Sequence, residues 1–399
     1  MNIFGKIYCR TYQQIFRWIM PMLPYRNPET LNSVMDIKNI LRMNYITSVL
    51  LVTDKQLSDL ELTKPLIDDL KNYNIKVAIY DGTVPNPTID NIEEGLSLYN
   101  QNKCQGIIAF GGGSVMDCAK MIGARAVNPD KSVKKMKGLL KVKNKLPMLI
   151  AIPTTAGTGS ETTLTAVITD HEKGHKYTIN DFNLIPNYAI LDANLTLGLP
   201  KGLTATTGMD ALTHAIEAYI GNSTTDETRK ASLEACRLIF ENITKVYDDG
   251  SNIRSRQYML KASYLAGVAF TRSYVGYVHA IAHSLGGKYN TPHGLANAVI
   301  LPYVLSEYGK SIYSKIKDIA VYCNIAKKYD TEENATSLFI NRIFEINEYM
   351  QIPRKFDFIK KEDIKEMAKH ASREANPLYP VPKLLSKNQL TKIYYKIML

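Results

Sequence analysis

The sequence predicts an α/β N-terminal half followed by an all-helical C-terminal half, and three observations carry that expectation. Four short runs, at 48–53 (SVLLVT), 75–80 (IKVAIY), 106–110 (GIIAF) and 148–152 (MLIAI), are apolar nearly throughout. Parallel strands covered on both faces read this way. Helix-period segments, including 92–99 and 115–124, lie between them, the alternation expected of a sheet with crossover helices. Beyond Gly294 only Gly309 remains, and long helix-period segments at 226–246, 255–270 and 331–349 replace the strands. Gly198 and Pro200 punctuate the chain where the character changes, so a seam is expected at 197–201.

Composition sets the frame for these elements. A chain of 399 residues is long for one core and suits two domains. Its 45% hydrophobic and 22% charged residues are those of a globular protein that folds without staples. The five cysteines (9, 104, 118, 236 and 323) form no CxxC pair, which argues against a disulfide framework or thiolate zinc site and for a reducing, cytoplasmic compartment. The formal charge of +11 is concentrated in two places. Residues 131–145 hold seven lysines and no aromatic side chain to stack on a base, so a solvated loop is expected there and nucleic acid is not. The first 28 residues hold Lys6, Arg10, Arg17 and Arg26 and no acid. Their apolar run, broken by Arg17 and Pro21, is too short to span a bilayer and has no cleavage site. An arm packed on its own domain or on a partner subunit is favoured over contact with a membrane surface.

Two loops follow strands and have the composition of a phosphate cradle. Gly111-Gly112-Gly113-Ser114 comes straight after the run 106–110 and opens a helix, where backbone N–H groups and the helix N-terminus attract an anion. Ser114 and Asp117 also fit a capping pattern, S-x-x-D. There is no GxGxxG, so this is not the usual dinucleotide fingerprint. The second loop, PTTAGTGSE at 153–161, follows the run 148–152. Open α/β sheets bind ligands at such strand ends. Asp54, just past the first run, is placed to accept hydrogen bonds from an adenosine ribose and to repel a 2′-phosphate, which favours NAD over NADP.

The chemistry-bearing residues of the second half are histidines. Asp210 and His214 stand four apart in a helical stretch at 207–219, so both project from one face. His279 and His283 repeat the spacing, and His293 follows Gly286, Gly287 and Pro292, which are expected to break the helix and turn the chain back. Imidazoles with a carboxylate suit Fe²⁺ or Zn²⁺ rather than Ca²⁺ or Mg²⁺. Spacing alone leaves open which of His279, His283 and His293 would bind a metal. His171, His175 and His370 lie in polar stretches and are read as surface residues.

Together the motifs GGGSVMDCAK (111–120), PTTAGTGSE (153–161), GMDALTHAIEAY (208–219) and GYVHAIAHSLGGKYNTPHG (276–294) resemble the iron-containing (group III) alcohol dehydrogenase family. The resemblance runs from about Asp54 to the NPLYPVPK segment at 376–383, and is nearest the lactaldehyde reductase and short-chain alcohol dehydrogenase branch. It implies a dehydroquinate synthase-like architecture: a dinucleotide-binding α/β domain, placed at 1–199, and a helical metal-binding catalytic domain at 200–399; the basic arm at 1–25, counted here with the first domain, exceeds the family core. It further implies a homodimer, NAD as cofactor and iron as metal, with zinc as the alternative. By the same resemblance Asp210, His214, His279 and His293 are the metal ligands, and His283 is left near the nicotinamide for proton transfer. Asp54, Asn86, Gly112, Gly113, Ser114, Asp117, Thr154, Thr155, Thr158, Val167 and Lys176 match cofactor-contacting positions, and Phe270 a wall of the substrate site. Thr165 departs from the asparagine found nearby in that branch.

The implied reaction interconverts a small primary alcohol or diol and its aldehyde. A metal-dependent hydrolase is an alternative, because Asp/His sets also activate water, but it leaves both cradles without a role. A dehydroquinate-synthase-like lyase would need a further basic pocket, and a non-catalytic surface-binding protein would rest on the N-terminus alone.

Overall fold

The computed structural model describes residues 3–170 and 175–399; His171, and the side chains of Pro21, His175 and Lys176, lie outside the described set. Contacts divide the chain into one compact unit at Pro24–Gly198 and another formed by Leu199–Leu399 together with Met1–Leu23.

In the first unit the strands are β1 (Glu29–Leu31), β2 (Ser48–Val52), β3 (Lys76–Tyr80), β4 (Gly106–Gly111), β5 (Gly138–Leu139), β6 (Met148–Pro153), β7 (Thr165–Asp170), β8 (His175–Asn180) and β9 (Tyr188–Ile190). Six of them form a sheet in the order β1-β9-β6-β4-β2-β3, parallel throughout. Every residue of β2 and β4 is buried, which is why both read as unbroken apolar runs. Successive side chains go to opposite faces. Leu50, Val52, Ile107 and Ala109 pack with Ile92, Met116 and Ile122 of the helices Ile89–Gln101 and Gly113–Ala126. Val49, Leu51, Ile108 and Phe110 pack on the other side with Ile37, Leu41, Leu66 and Leu70. The run at 75–80 becomes the edge strand β3, and Ile79 there is exposed. A smaller sheet, β5-β8-β7, carries the antiparallel pair β7–β8, in which Val167 faces Thr178. The lysine-rich stretch folds around a short helix, Val133–Met136, with Lys134 paired to Asp170 at 3.4 Å and Lys137 over the ring of Tyr177.

The second unit is helical. Lys201–Ile220 is buried at every position from Gly208 onward, as a central helix must be, and Asp226–Asp248 and Ile253–Ser273 pack on it. Gly208 permits the close approach: a Cβ there would lie 2.8 Å from Ile243 and 2.9 Å from Met259. Gly286 and Gly287 do not break the helix as expected. Tyr277–Tyr289 runs through both and ends at Asn290, whose φ of 54° is left-handed; Pro292 then caps His293–Tyr308.

The N-terminal arm differs from its sequence assignment. Residues 1–23 belong to the helical unit and not to the α/β domain. The helix Ile3–Ile19 is tied there by Arg10, which donates to the carbonyls of Val381 (2.7 Å) and Pro382 (3.0 Å), and by Gln13, which donates to that of Tyr379 (2.7 Å). Phe16 meets Tyr274 edge to face at 5.1 Å.

Candidate metal centre and cofactor cradle

Three helices deliver the four candidate ligands. Lys201–Ile220 presents Asp210 and His214 one turn apart, Tyr277–Tyr289 presents His279, and His293 is the first residue of its helix. One ligand atom from each of Asp210, His214, His279 and His293 falls within 4.8 Å of the others. His279 Nε2 lies 4.0 Å and His293 Nε2 3.5 Å from Asp210 Oδ1. Such a set of imidazole nitrogens and one carboxylate oxygen fits a transition metal of the Fe²⁺ or Zn²⁺ kind.

The surroundings prepare these atoms for a cation. Glu217, a turn beyond His214, is buried and accepts from Gly276 N (2.8 Å), Val278 N (2.8 Å) and His279 Nδ1 (2.6 Å). With Nδ1 committed to the carboxylate, His279 has Nε2 for a metal, the usual arrangement behind a metal-bound histidine. Burial pushes Glu217 up to about 7, opposed by those same backbone N–H groups. Gly276 is required for this contact, since a Cβ would come within 2.6 Å of Glu217 Oε1. Asn297, one turn past His293 and fully buried, donates from Nδ2 to Asp210 Oδ1 at 2.7 Å and lies 3.2 and 3.1 Å from Nε2 of His279 and His293. Burial first, then the neighbouring imidazoles, drives His279 well below its ordinary value, and His293 falls to about 4. Neutral imidazole is the form that binds metal. No motif in the sequence marks Glu217 or Asn297 as part of the cluster, although both keep helical spacing to a ligand.

His283 stands beside the cluster rather than in it. Its ring stacks on His293 at 5.2 Å, and Nδ1 lies 2.6 Å from Glu374 Oε1, which also accepts from the hydroxyl of Tyr379 at 2.8 Å. Desolvation works to lower its pKa, but the carboxylates of Glu374, Asp210 and Glu217 together outweigh that and the group is raised. Phe270 stacks on the ring of His214 at 4.1 Å, so an apolar face adjoins the cluster.

In the α/β unit the two glycine- and threonine-rich loops adjoin at the carboxyl ends of β4 and β6. Thr154 N donates to Gly111 O at 3.2 Å, and a Cβ on Gly112 or Gly113 would lie 3.7 Å from Thr155 Oγ1 or 3.0 Å from Thr158 Cγ2. Ser114 Oγ accepts from Asn86 N at 3.2 Å, with Asn86 at a left-handed φ of 59°. Asp54 follows β2 and caps a short helix through Leu57 N at 2.9 Å. Lys176 is on β8, with its side chain outside the described set.

The S-x-x-D capping reading of Ser114 and Asp117 fails, because the helix already begins at Gly113 with Gly112 as its cap. Asp117 instead accepts from Val167 N (3.0 Å) and Ser160 Oγ (3.1 Å). Beside it Lys120, wholly buried, donates to Ser160 Oγ, Thr163 Oγ1 and Thr165 O at 2.8–3.0 Å. This network locks the helix after the first loop onto the second loop. Burial lowers Lys120 to about 8 and raises Asp117 to about 6 and Glu161 to about 7.

Two family models match. Residues 30–193 fit "Iron-containing alcohol dehydrogenase", and residues 204–398 fit "Fe-containing alcohol dehydrogenase family, C-terminal". The chain belongs to the iron-containing alcohol dehydrogenase family. It is 35% identical to the 1,3-propanediol dehydrogenase of Citrobacter freundii over 385 residues, covering 96% of this chain and 98% of that one. Lactaldehyde reductase of Escherichia coli K12 is 36% identical over 325 residues, covering 81% and 85%. Among solved structures, a 1,3-propanediol oxidoreductase superposes with a TM-score of 0.90 at 35% identity, covering 94% of this chain and 99% of the other. A sulfoacetaldehyde reductase from Bifidobacterium kashiwanohense in complex with NAD+ superposes at 0.84 with 25% identity, covering 94% and 98%. Family membership makes the protein an oxidoreductase of the alcohol dehydrogenase kind, and the hydrolase alternative has no support in these matches.

Proposed function

We propose that the protein interconverts a small primary alcohol or diol and its aldehyde with NAD(H), using a divalent metal held by Asp210, His214, His279 and His293. The observation that carries this reading is the convergence of those four donors, with Glu217 bound to the far side of His279. Two relatives named for small diols or hydroxyaldehydes support the substrate class. NAD is supported by Asp54 at the end of β2, by the adjoining Gly112–Gly113 and Thr154–Thr158 loops, and by a structural neighbour in complex with NAD+.

When bound, the metal supplies Lewis-acid polarisation of the substrate oxygen and the nicotinamide supplies or takes the hydride. The chain's own residues do the rest. Asp210 and the three imidazoles fix the cation's place, Glu217 fixes the orientation of His279, and Phe270 offers an apolar wall for a short carbon chain. His283, held at Nδ1 by Glu374, is our candidate for passing the alcohol proton through Nε2. Asn86, Gly112, Gly113, Ser114, Asp117, Thr154, Thr155, Thr158, Val167 and Lys176 are assigned to holding or framing the cofactor. A homodimer in the cytoplasm completes the proposal; the five cysteines, which form no CxxC pair, agree with a reducing compartment.

The test is a rate comparison on metal-loaded protein with NADH and NADPH across aldehydes of increasing length. Preference for NADH and short aldehydes is expected. Preference for NADPH, or cleavage of esters or amides with no need for nicotinamide, overturns the reading.

A further inference from the structure

The segment 376–383, NPLYPVPK, joins two helices of the helical unit, Lys361–Ala375 and Lys387–Ile397. Three of its eight residues are prolines (377, 380 and 382), which have no N–H, so it cannot close a helix or a ladder of its own. Tyr379, Pro380 and Val381 are nevertheless buried, and buried carbonyls need donors from elsewhere. The helix Ile3–Ile19 supplies most of them. Gln13, only 4% exposed, donates from Nε2 to Tyr379 O (2.7 Å) and Pro377 O (3.3 Å). Arg10 donates to Val381 O and Pro382 O, and from Nη1 to Gln13 Oε1 at 2.8 Å, which aims the Gln13 amide at the segment. Asn222 adds donors to Pro380 O at 2.7 Å and Val381 O at 3.0 Å.

The clamped segment leads to the candidate relay. Tyr379 donates its hydroxyl to Glu374 Oε1 at 2.8 Å, the same atom that lies 2.6 Å from His283 Nδ1. Gln13 therefore holds the backbone of the residue whose side chain holds Glu374. We propose that Gln13 and Arg10 are positioning residues: they fix Tyr379 and, through Tyr379 and Glu374, the ring of His283. The inference rests on the reading of His283 as the group that passes the alcohol proton. A second contact of the same helix points the same way. Phe16 packs on Tyr274, whose φ of 60° with ψ of −176° is a conformation rarely adopted outside glycine. Such a residue persists only where its neighbours hold it. Tyr274 N donates to Phe270 O at 2.7 Å, and Phe270 is the ring stacked on His214. The family-matched residues, 30–193 and 204–398, do not include this helix.

The test compares metal-loaded, full-length protein turning over a short aldehyde with NADH as wild type, Gln13→Leu, His283→Ala and the double variant. Gln13→Leu should lower kcat about tenfold, with KM and metal affinity in a chelator competition unchanged. His283→Ala should lower kcat about 100-fold or more. Adding Gln13→Leu to it should cost nothing further, because the helix acts through His283. Tyr379→Phe removes one hydroxyl and leaves the helix docked; it should match Gln13→Leu and show the same dependence on His283. In hydrogen exchange, amides of 374–385 should exchange faster in Gln13→Leu while Lys201–Ile220 keeps wild-type protection. Wild-type kcat in Gln13→Leu and Tyr379→Phe, or wild-type exchange at 374–385 in Gln13→Leu, beside a slow His283→Ala overturns the inference alone. An equal fall from Gln13→Leu in both backgrounds also overturns it, since the helix would then support the fold in general. Wild-type kcat in His283→Ala overturns the relay reading itself, and this inference with it.

Discussion

Glu217 shows how much of the candidate site is set by one buried carboxylate. It holds His279 Nδ1 at 2.6 Å and is itself oriented by two backbone N–H groups, so it fixes which nitrogen of His279 meets a cation. Glu217→Gln keeps the shape but loses the charge, and metal affinity should drop by about 10- to 100-fold in a chelator competition titration; an unchanged affinity would contradict its role. Glu161 makes a separate pH prediction in the α/β unit. Burial raises it to about 7 from the ordinary 4.5, so the folded state holds a proton there that the unfolded chain has released. Its contribution is therefore full below pH 4.5 and lost as pH rises through 7. Between pH 5 and 7.5 the urea midpoint of Glu161→Gln should decline less than that of the wild type, by a difference worth roughly 1–3 kcal/mol. Parallel declines would show that Glu161 does not titrate in this window. Of the residues at the metal cluster, Asp210, His214 and the group His279, His283 and His293 are legible because histidines are few and gathered, whereas only the family resemblance separates His279 and His293 from His283. Glu217 and Asn297 are not, since a lone acid or amide in a helix announces no partner, and Glu217 finds His279 only 62 residues away.

At the scale of elements, the site depends on where the helix His293–Tyr308 meets Lys201–Ile220. Gly294 makes that contact: a Cβ would lie 2.4 Å from the carbonyl oxygen of Thr206, a backbone atom with no rotamer to yield. Gly294→Ala should cost about 1–3 kcal/mol in chemical denaturation and displace His293, lowering metal occupancy as well; wild-type values of both would contradict the packing. β2, β4 and β6 were readable because they are buried on both faces, whereas β1 and β9, three residues each, are too short for any periodic signal. Gly286 and Gly287 suggest a break that does not occur, because glycine weakens a helix without ending it, and the left-handed turn at Asn290 ends it instead.

For the whole molecule, all four candidate ligands come from the helical unit and all assigned cofactor positions from the α/β unit. Metal removal should therefore be felt unevenly. A ligand held at 100 times its Kd stabilises by about 3 kcal/mol, so chelation should loosen hydrogen-exchange protection in Lys201–Ile220, Tyr277–Tyr289 and His293–Tyr308 and leave β2 and β4 unchanged. Uniform loss in both units would contradict that division. The arm at 1–25 was assigned by sequence order, but its place depends on Arg10 and Gln13 reaching carbonyls more than 360 residues along the chain, which no local pattern reveals. The most direct measurement is NADH oxidation with a short aldehyde, before and after Fe²⁺ or Zn²⁺ is added to metal-free protein, for the wild type and His279→Ala. Turnover that appears only with metal, in the wild type and not in the variant, is expected. Equal turnover without metal, no turnover with either metal, or a His279→Ala enzyme that binds metal and works as well would contradict the metal centre proposed here.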